Sequence, residues 1–224
     1  MAEKKAPAGL KKAAILTFLL FGPAFLLIFM SSRGCEHKFK ELDDLGEIPS
    51  YSFTGINGKK YSNKSFKNKV VLFTTIQQTC PDSCSISLWH FDQIIYQHVR
   101  KNQKKLGHLR IVSFVTDGKG NQIKDLKLTE SILKDQFEEY DPKIWILANG
   151  DSKKLFNITR NGQKLSKGAG NSYQELMLLG DKENRLRMVL SGKSEGMIRR
   201  MKQHMALLDK QYDKNEAKLL KTKR

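Results

Sequence analysis

The sequence predicts an α/β fold in which a mixed central sheet is flanked by helices. Runs of β-branched and aromatic residues, bounded by polar residues, recur at residues 69–76, 109–115 and 143–147. Segments with the apolar spacing of a helix lie between these runs, and two further strand-like segments followed by a helix close the domain. Strands that alternate with helices build a covered sheet, and a closing hairpin adds antiparallel strands to it.

The length and composition limit the chain to one soluble domain plus an anchor. A chain of 224 residues with 39% hydrophobic and 28% charged residues is neither wholly disordered nor a multi-span membrane protein. The net charge of +17 raises the possibility of nucleic-acid binding, but no basic motif interleaves with aromatic residues and no DNA- or RNA-binding signature is present. We therefore expect no nucleic-acid partner.

The first element is an uncharged segment at residues 13–30, composed mainly of Leu, Ile, Phe and Ala. As a helix, it would extend roughly 27 Å, close to the thickness of the hydrocarbon core. Four lysines precede it, which predicts a cytoplasmic N-terminus at residues 1–12 and an extracytoplasmic, periplasmic C-terminal domain. We expect a single-pass protein of the cell membrane, with a transmembrane helix at 13–30 and a stalk at 31–47.

Two other interpretations of the N-terminal segment stay open. A signal peptide could be cleaved near Ser32-Arg33-Gly34, although the apolar segment is longer than is usual for such a peptide. Cys35 could instead carry a lipid, although Arg33 fits that motif poorly.

The predicted domain covers residues 48–212 and is followed by a basic tail at 213–224. It opens with a hairpin around Asn57-Gly58, because this pair readily adopts the positive φ angles of a two-residue turn. The strand at 69–76 should be central, since it is apolar on both faces. The later elements are a helix from the cysteine motif to about residue 101, a strand at 109–115, a helix at 129–140, strands at 143–147, 173–179 and 185–190, and a helix at 195–212.

The candidate reactive motif is the cysteine pair Cys80 and Cys84. The pair lies where the predicted central strand ends and a helix begins. Thiols at a helix N-terminus favour the thiolate, and Pro81 suits the first helical turn. Cysteines four residues apart can lie on one face of a turn, close enough to form a disulfide or hold one soft ion. An inert buried pair or a structural disulfide is the alternative. Cys35 lies apart and is not assigned to this pair.

From the strand at 70–73 through the motif at 79–84, the sequence resembles the Sco/SenC family of membrane-anchored, thioredoxin-like copper proteins. The Asn57-Gly58 hairpin, the segment at 112–117 and the N-terminal anchor lie where that family has them. The resemblance implies a thioredoxin-like fold and Cu(I) held by Cys80 and Cys84. It also implies a role in assembling the copper site of cytochrome c oxidase. The implied partner is an oxidase subunit or another copper or thiol protein.

The resemblance also implies a histidine as the third copper ligand, but Asn171 occupies that position. An amide oxygen is a hard donor and matches Cu(I) poorly. No substitute ligand is evident, because each remaining candidate has a more ordinary role on the surface, in a helix or in the core. These candidates are His37, His90, His98, His108, His204 and Met177.

Three functions follow from these observations. The first is a metallochaperone that holds Cu(I) through two thiolates and delivers it during oxidase assembly. The second is a thiol–disulfide oxidoreductase in which Cys80 attacks a partner disulfide and Cys84 resolves the intermediate. The third is a scaffold with a vestigial dithiol. No small-molecule substrate is evident in the sequence.

Overall fold

The computed structural model describes residues 8–34, 41–78, 83–117, 120–160, 163–164 and 176–222. The chain divides into two compact units, Met1–Lys40 and Glu41–Arg224.

The first unit contains one long helix, α1 (Ala8–Gly34), with Pro23 inside it. Leu, Phe, Ile and Met side chains between residues 16 and 30 are exposed. Within the part of the chain that the structure describes, no helix is long and apolar enough to cross a membrane.

The second unit alternates strands and helices. Its strands are β1 (Ser52–Gly55), β2 (Lys60–Ser62), β3 (Val70–Gln77), β4 (Leu109–Thr116), β5 (Trp145–Gly150), β6 (Thr159–Arg160), β7 (Gln163–Lys164), β8 (Leu176–Gly180) and β9 (Leu186–Ser191). Its helices are α2 (Ser83–Phe91), α3 (Gln97–Lys101), α4 (Gln103–Leu106), α5 (Lys127–Gln136), α6 (Ser152–Phe156) and α7 (Glu195–Thr222). A π-helical turn, Asp92–Tyr96, joins α2 to α3, and a 3₁₀ turn, Asn63–Phe66, follows β2.

Seven strands form one sheet in the order β2-β1-β5-β4-β3-β8-β9. The three strands β3, β4 and β5 are parallel, and the remaining pairs are antiparallel. The mixed sheet predicted from the sequence is therefore confirmed, and β3 lies inside it, between β4 and β8. Because β3, β4 and β5 are parallel, their carboxyl ends meet at one edge of the sheet.

Alternate residues of the strands pack into two separate hydrophobic cores, one on each face of the sheet. On one face, Leu72, Ile111 and Trp145 pack with the helical segment that follows the cysteine motif and with α5 and α7. On the opposite face, Phe73 and Phe114 pack with α6 and with aromatic residues of the N-terminal hairpin. This arrangement explains why β3 is apolar at nearly every position.

Element boundaries differ from the sequence prediction in several places. The strand predicted at 143–147 is found at Trp145–Gly150. The hairpin turn is longer than two residues, because Thr54 pairs with Lys60 and only Gly58 within the turn has a positive φ. The helix predicted at 129–140 ends at Gln136, where Phe137 takes an extended conformation. The last helix, α7, continues beyond residue 212 to Thr222.

Candidate dithiol site and the adjoining cavity

The cysteine motif lies at the junction between β3 and α2. Strand β3 ends at Gln77 and α2 begins at Ser83. Cys80 lies outside the described residues, whereas Cys84 belongs to the first turn of α2 and its side chain is not described. The backbone thus agrees with the predicted order of a central strand, the motif and a helix. The roles of the two thiols stay predictions.

A cavity of about 230 Å³ lies at this same end of the sheet. Its walls come from β3, α2, α5, β5, β8 and the residue after β9. The floor is apolar, whereas half-exposed and exposed polar side chains at the mouth connect it to solvent. The lining residues are Thr74, Thr75, Ile76, Gln77, Gln78, Ser87, Leu88, Phe91, Thr129, Ile132, Leu133, Gln136, Trp145, Met177 and Gly192.

Trp145 forms the aromatic wall of the cavity. Its indole Nε1 donates a hydrogen bond to Ser113 Oγ at 2.7 Å, which fixes the ring orientation. Phe91 packs against the indole with 5.2 Å between ring centroids. Since Trp145 and Phe91 are buried in the core, this wall is preformed.

Thr129 is one of several polar residues that line the cavity. It lies in the first turn of α5, is 3% exposed, and its Oγ1 has no hydrogen-bond partner among the described residues. A buried hydroxyl without a partner costs free energy, because it has lost its bonds to water. Thr129 thus borders the cavity, but its hydroxyl oxygen is buried and is not open to it.

The described histidines are dispersed over the helices and the start of β4. His90 Nδ1 lies 4.0 Å from Glu195 Oε2, whereas His108 Nε2 lies 3.1 Å from Asp209 Oδ1. His98 contacts Asn102, and the Nδ1 of His204 is buried without a hydrogen-bond partner among the described residues. Burial lowers the pKa of His98, His108 and His204. These side chains are accounted for by helix and strand packing.

The other possible copper ligands are a core residue and two residues outside the described regions. Met177 is 1% exposed and lies in the larger core, where it also borders the cavity. Asn171 and His37 lie outside the described residues. Among the described residues, no group of three or more His, Cys, Asp or Glu side chains could hold a metal ion.

The sequence analysis missed Thr129 and Trp145 as members of a site. They are far from the cysteine motif in sequence and reach the cavity only because α5 and β5 pack beside β3. No local spacing marks them. The one available signal was the position of Trp145 within the predicted strand at 143–147, which is equally common for core tryptophans.

Comparisons with known proteins were made at the levels of sequence and structure. No family model matches the chain, and no curated protein matches it at a significant level. Three solved structures illustrate the structural similarity. The structure of BsSco, described as a member of the Sco family of cytochrome c oxidase assembly proteins with a disulfide switch, is 20% identical; the match covers 74% of this chain and 98% of that one, with a TM-score of 0.50.

The two others come from different bacteria. A candidate protein disulfide isomerase from Bacteroides thetaiotaomicron is 15% identical, with 76% of this chain and 95% of that chain covered and a TM-score of 0.51. A candidate electron transport protein from Aquifex aeolicus VF5 is 14% identical. The match covers 74% of this chain and 98% of that one, with a TM-score of 0.51. At these identities the likeness establishes the fold, which is thioredoxin-like. Sco proteins are among the structures that share it, in agreement with the resemblance seen in the sequence.

Proposed function

We propose that this protein is a membrane-tethered, Sco/SenC-like copper chaperone that holds Cu(I) between Cys80 and Cys84 and delivers it during cytochrome c oxidase assembly. The observation that carries the proposal is the position of the motif, between the central strand β3 and the first turn of α2. The structural likeness to BsSco, a protein described with cytochrome c oxidase assembly, adds support.

The donor set suits Cu(I) as cargo. Two thiolates are soft ligands and select Cu(I) over harder ions. Asn171 replaces the histidine implied by the family resemblance, so two-coordinate binding is the simplest arrangement. Weaker retention than a three-ligand site provides would suit an ion that must be passed on by ligand exchange.

The proposed tether is residues 13–30, which contain no charged residue. The proposal rests on this composition and on the exposed apolar side chains of α1 between residues 16 and 30. The side chains of residues 13–15 lie outside the described residues. With the N-terminus in the cytoplasm, the dithiol domain would face the periplasm.

The test is a Cu(I) titration of the full-length protein against a competing chelator. A single Cu(I) ion should bind per chain, and Cys80→Ser or Cys84→Ser should each abolish binding, because one thiolate cannot retain the ion against competition. Cys35→Ser is the matched control and should bind as the wild type does. Retention of Cu(I) by both motif variants would refute the chaperone function.

A thiol–disulfide oxidoreductase is the second candidate function, favoured by the absent histidine and by the shared fold with a candidate disulfide isomerase. The Cys80 thiolate would attack a partner disulfide and release one partner thiol. Cys84 would then attack the mixed disulfide, leaving an oxidised protein and a fully reduced partner.

A redox titration of the metal-free protein distinguishes this candidate. Catalytic dithiols have potentials of about −120 to −270 mV, whereas structural disulfides lie below about −300 mV. A potential in the catalytic range, with rapid alkylation of one motif cysteine near neutral pH, would support the oxidoreductase. A very low potential without turnover would oppose it.

A further inference from the structure

We propose that the surface around the cysteine motif docks a protein partner whose contact region is apolar and flanked by carboxylates. The inference deepens the proposed function and rests on it in one respect, because it assumes that the dithiol acts on a protein. This surface, called the dithiol face below, is formed by the described residues of 87–90, 117–130, 150–154 and 193–200.

Exposed apolar side chains are concentrated on the dithiol face. Among the described residues of the second unit, the exposed large apolar side chains are Trp89 (53% exposed), Leu128 (55%), Met197 (39%) and Leu220 (63%). The first three lie in α2, α5 and α7, the helices that follow the parallel-running strands β3, β4 and β9, whereas Leu220 lies near the far end of α7. Single exposed apolar residues are ordinary, but a group of them at one edge of a sheet indicates a contact surface.

Contacts between α2 and α7 make Trp89 and Met197 parts of one surface. The Trp89 ring meets the His90 ring edge-on, with 5.1 Å between the ring centroids. His90 Nδ1 lies 4.0 Å from Glu195 Oε2, in the first turn of α7 and two residues before Met197. The apolar surface thus extends from α2 onto the start of α7.

The cavity connects Leu128 to the same surface. Leu88 of α2 and Ile132 of α5 both line the cavity and are half-exposed at its mouth. Leu128 precedes Ile132 by one helical turn, so the two side chains share a face of α5. Cys84 precedes Trp89 by five residues, or roughly 7.5 Å along the helix axis. A protein in contact with this surface would therefore also meet the cysteine motif.

The dithiol face also has an excess of positive charge. Six of its exposed side chains are basic, and two, Asp125 and Asp151, are acidic. Both carboxylates accept a hydrogen bond from a nearby backbone N–H, and the half-exposed Glu130 and Glu195 form ion pairs one turn along their own helices. The N-termini of α2, α5 and α7 add partial positive charge. Carboxylates on a partner would therefore be attracted to this face. Its exposed basic residues are Lys124, Lys127, Lys154, Lys193, Arg199 and Arg200.

The shape of the surface favours a protein over a lipid bilayer. Between α2 and α5 the surface is concave, and Gln77, Gln78 and Gln136 lie at the mouth of the cavity. A bilayer takes up protruding apolar side chains, whereas a concave apolar surface with polar groups at its rim matches a protrusion on a protein. A bilayer over this face would also separate the cysteines from the thiols of any partner.

Two peptides without cysteine provide the test. Both have eight residues with two central leucines; the first has aspartates on either side of them, and the second has lysines. Full-length protein labelled with ¹⁵N in zwitterionic detergent is titrated with each peptide, and NMR follows the two indole N–H signals. Trp145 is the internal control, because it is fully buried and its indole donates to Ser113 Oγ, whereas Trp89 is exposed. Loss of one signal in Trp89→Phe assigns the pair.

The aspartate peptide should shift the Trp89 signal saturably and leave the Trp145 signal in place. The lysine peptide should bind about tenfold more weakly, and added salt should reduce this difference, because exposed charges are screened. Absence of a shift at Trp89, or equal affinities for the two peptides, would overturn the inference.

Variants locate the binding surface. Lys193→Glu should weaken binding of the aspartate peptide about threefold. Lys104→Glu makes the same change of charge at an exposed residue of α4, before β4 begins, and should leave the affinity unchanged. Met197→Ala should also weaken binding about threefold, whereas Leu220→Ala should not. Equal effects of the two charge reversals would show attraction by net charge alone, contrary to the inference.

The bilayer alternative has its own measurement. Full-length protein is reconstituted into vesicles of phosphatidylcholine and phosphatidylglycerol with brominated acyl chains, and the fluorescence of Trp89 is obtained as the difference between wild type and Trp89→Phe. We expect no quenching by bromine. Quenching of Trp89 would show that a bilayer covers the dithiol face and would overturn the inference.

The docking surface and the proposed function can fail separately. The peptides contain no thiol, so their binding to Cys80→Ser should equal binding to the wild type. A shift at Trp89 in a protein that neither binds Cu(I) nor exchanges disulfides would support the docking surface and refute the proposed function. Cu(I) binding by the dithiol without any shift at Trp89 would do the reverse.

Discussion

At the scale of single residues, Asp92 is a charged side chain buried in the core. It is 1% exposed, in the π-helical turn between α2 and α3. Its Oδ1 accepts a hydrogen bond from Gln97 Nε2 at 3.1 Å, and its Oδ2 accepts one from Gln93 Nε2 at 2.7 Å. Burial raises its pKa, although these hydrogen bonds and the charges of Arg100 and Lys101 act in the opposite direction. The folded protein therefore holds the Asp92 proton more tightly than the unfolded chain.

This shift predicts a pH dependence of stability. Between the pKa of Asp92 in the unfolded chain and its raised pKa in the folded protein, the folded state binds more protons, so the Asp92 contribution to stability falls as pH rises. Asp92→Asn removes this contribution. We expect the free energy of unfolding of the variant, relative to wild type, to increase across that acidic range and then remain level.

Urea denaturation of both proteins at a series of pH values measures this difference. Gln93 is exposed and can reorient towards the new amide, so the packing should be retained. A difference between variant and wild type that is constant with pH would show that Asp92 has an ordinary pKa in the folded protein.

Asn171 supports the second prediction at this scale. If this residue lies beside the dithiol, as the sequence resemblance implies, Asn171→His supplies an imidazole, a donor well suited to copper. Competition titration should then show tighter Cu(I) binding than in the wild type, by about tenfold or more, since even an outer-shell partner of a metal ligand changes the affinity by about 10–100-fold. Asn149→His, in β5, is the matched control and should not change the affinity. An unchanged affinity in Asn171→His would place that residue away from the ion.

At the scale of elements, the packing of β1 against β5 depends on Gly150. A Cβ at this position would lie 2.7 Å from Phe53 Cβ and 3.0 Å from the Ser52 carbonyl oxygen. Neither atom can move away without displacing β1, because Phe53 and Gly150 are paired in the sheet. A Cβ at Gly196, in the first turn of α7, would have no such neighbour within 4 Å.

The two glycines therefore predict opposite effects of the same substitution. Gly150→Ala should lower the free energy of unfolding by about 1–3 kcal/mol through overpacking. Gly196→Ala should leave it unchanged or raise it by up to about 1 kcal/mol, because alanine is the better helix former. Chemical denaturation of the two variants tests this, and equal effects would contradict the close packing at Gly150.

The elements also show what the sequence can predict. The apolar run of β3 predicts a central strand because both its faces are buried, and the structure agrees. The π-helical turn was missed, because residues 92–96 have the composition of an ordinary helix. Its signature is the backbone hydrogen bond from the Gln97 N–H to the Asp92 carbonyl oxygen, five residues apart. The Gln97 and Tyr96 side chains also donate to the carbonyl oxygens of Glu138 and Glu139, which are distant in sequence. The cavity was missed for a similar reason, since its walls come from elements distant in sequence.

At the scale of the whole molecule, charge and apolar surface are distributed unevenly along the chain. The first unit contains the uncharged segment at 13–30, and from Lys193 onward Lys and Arg outnumber Asp and Glu by ten to four. An excess of positive charge favours contact with anionic surfaces and is screened by salt. The proposed tether would hold the second unit near the membrane, so its basic helix α7 would increase this contact at low ionic strength.

The tether leads to the last prediction. If residues 13–30 form an uncleaved anchor, the protein should remain with membranes during carbonate extraction, because burial of an apolar helix does not depend on ionic contacts. Its mature N-terminus should lie near Met1. A chain lacking residues 1–40 should be released by carbonate, since the basic charges of α7 alone are neutralised or screened under those conditions.

N-terminal sequencing of the membrane-bound protein separates the alternatives. A start at Arg33 or beyond would show signal cleavage, and a start at a lipid-modified Cys35 would show a lipoprotein. Release of the full-length protein by carbonate, with Met1 retained, would contradict the anchor.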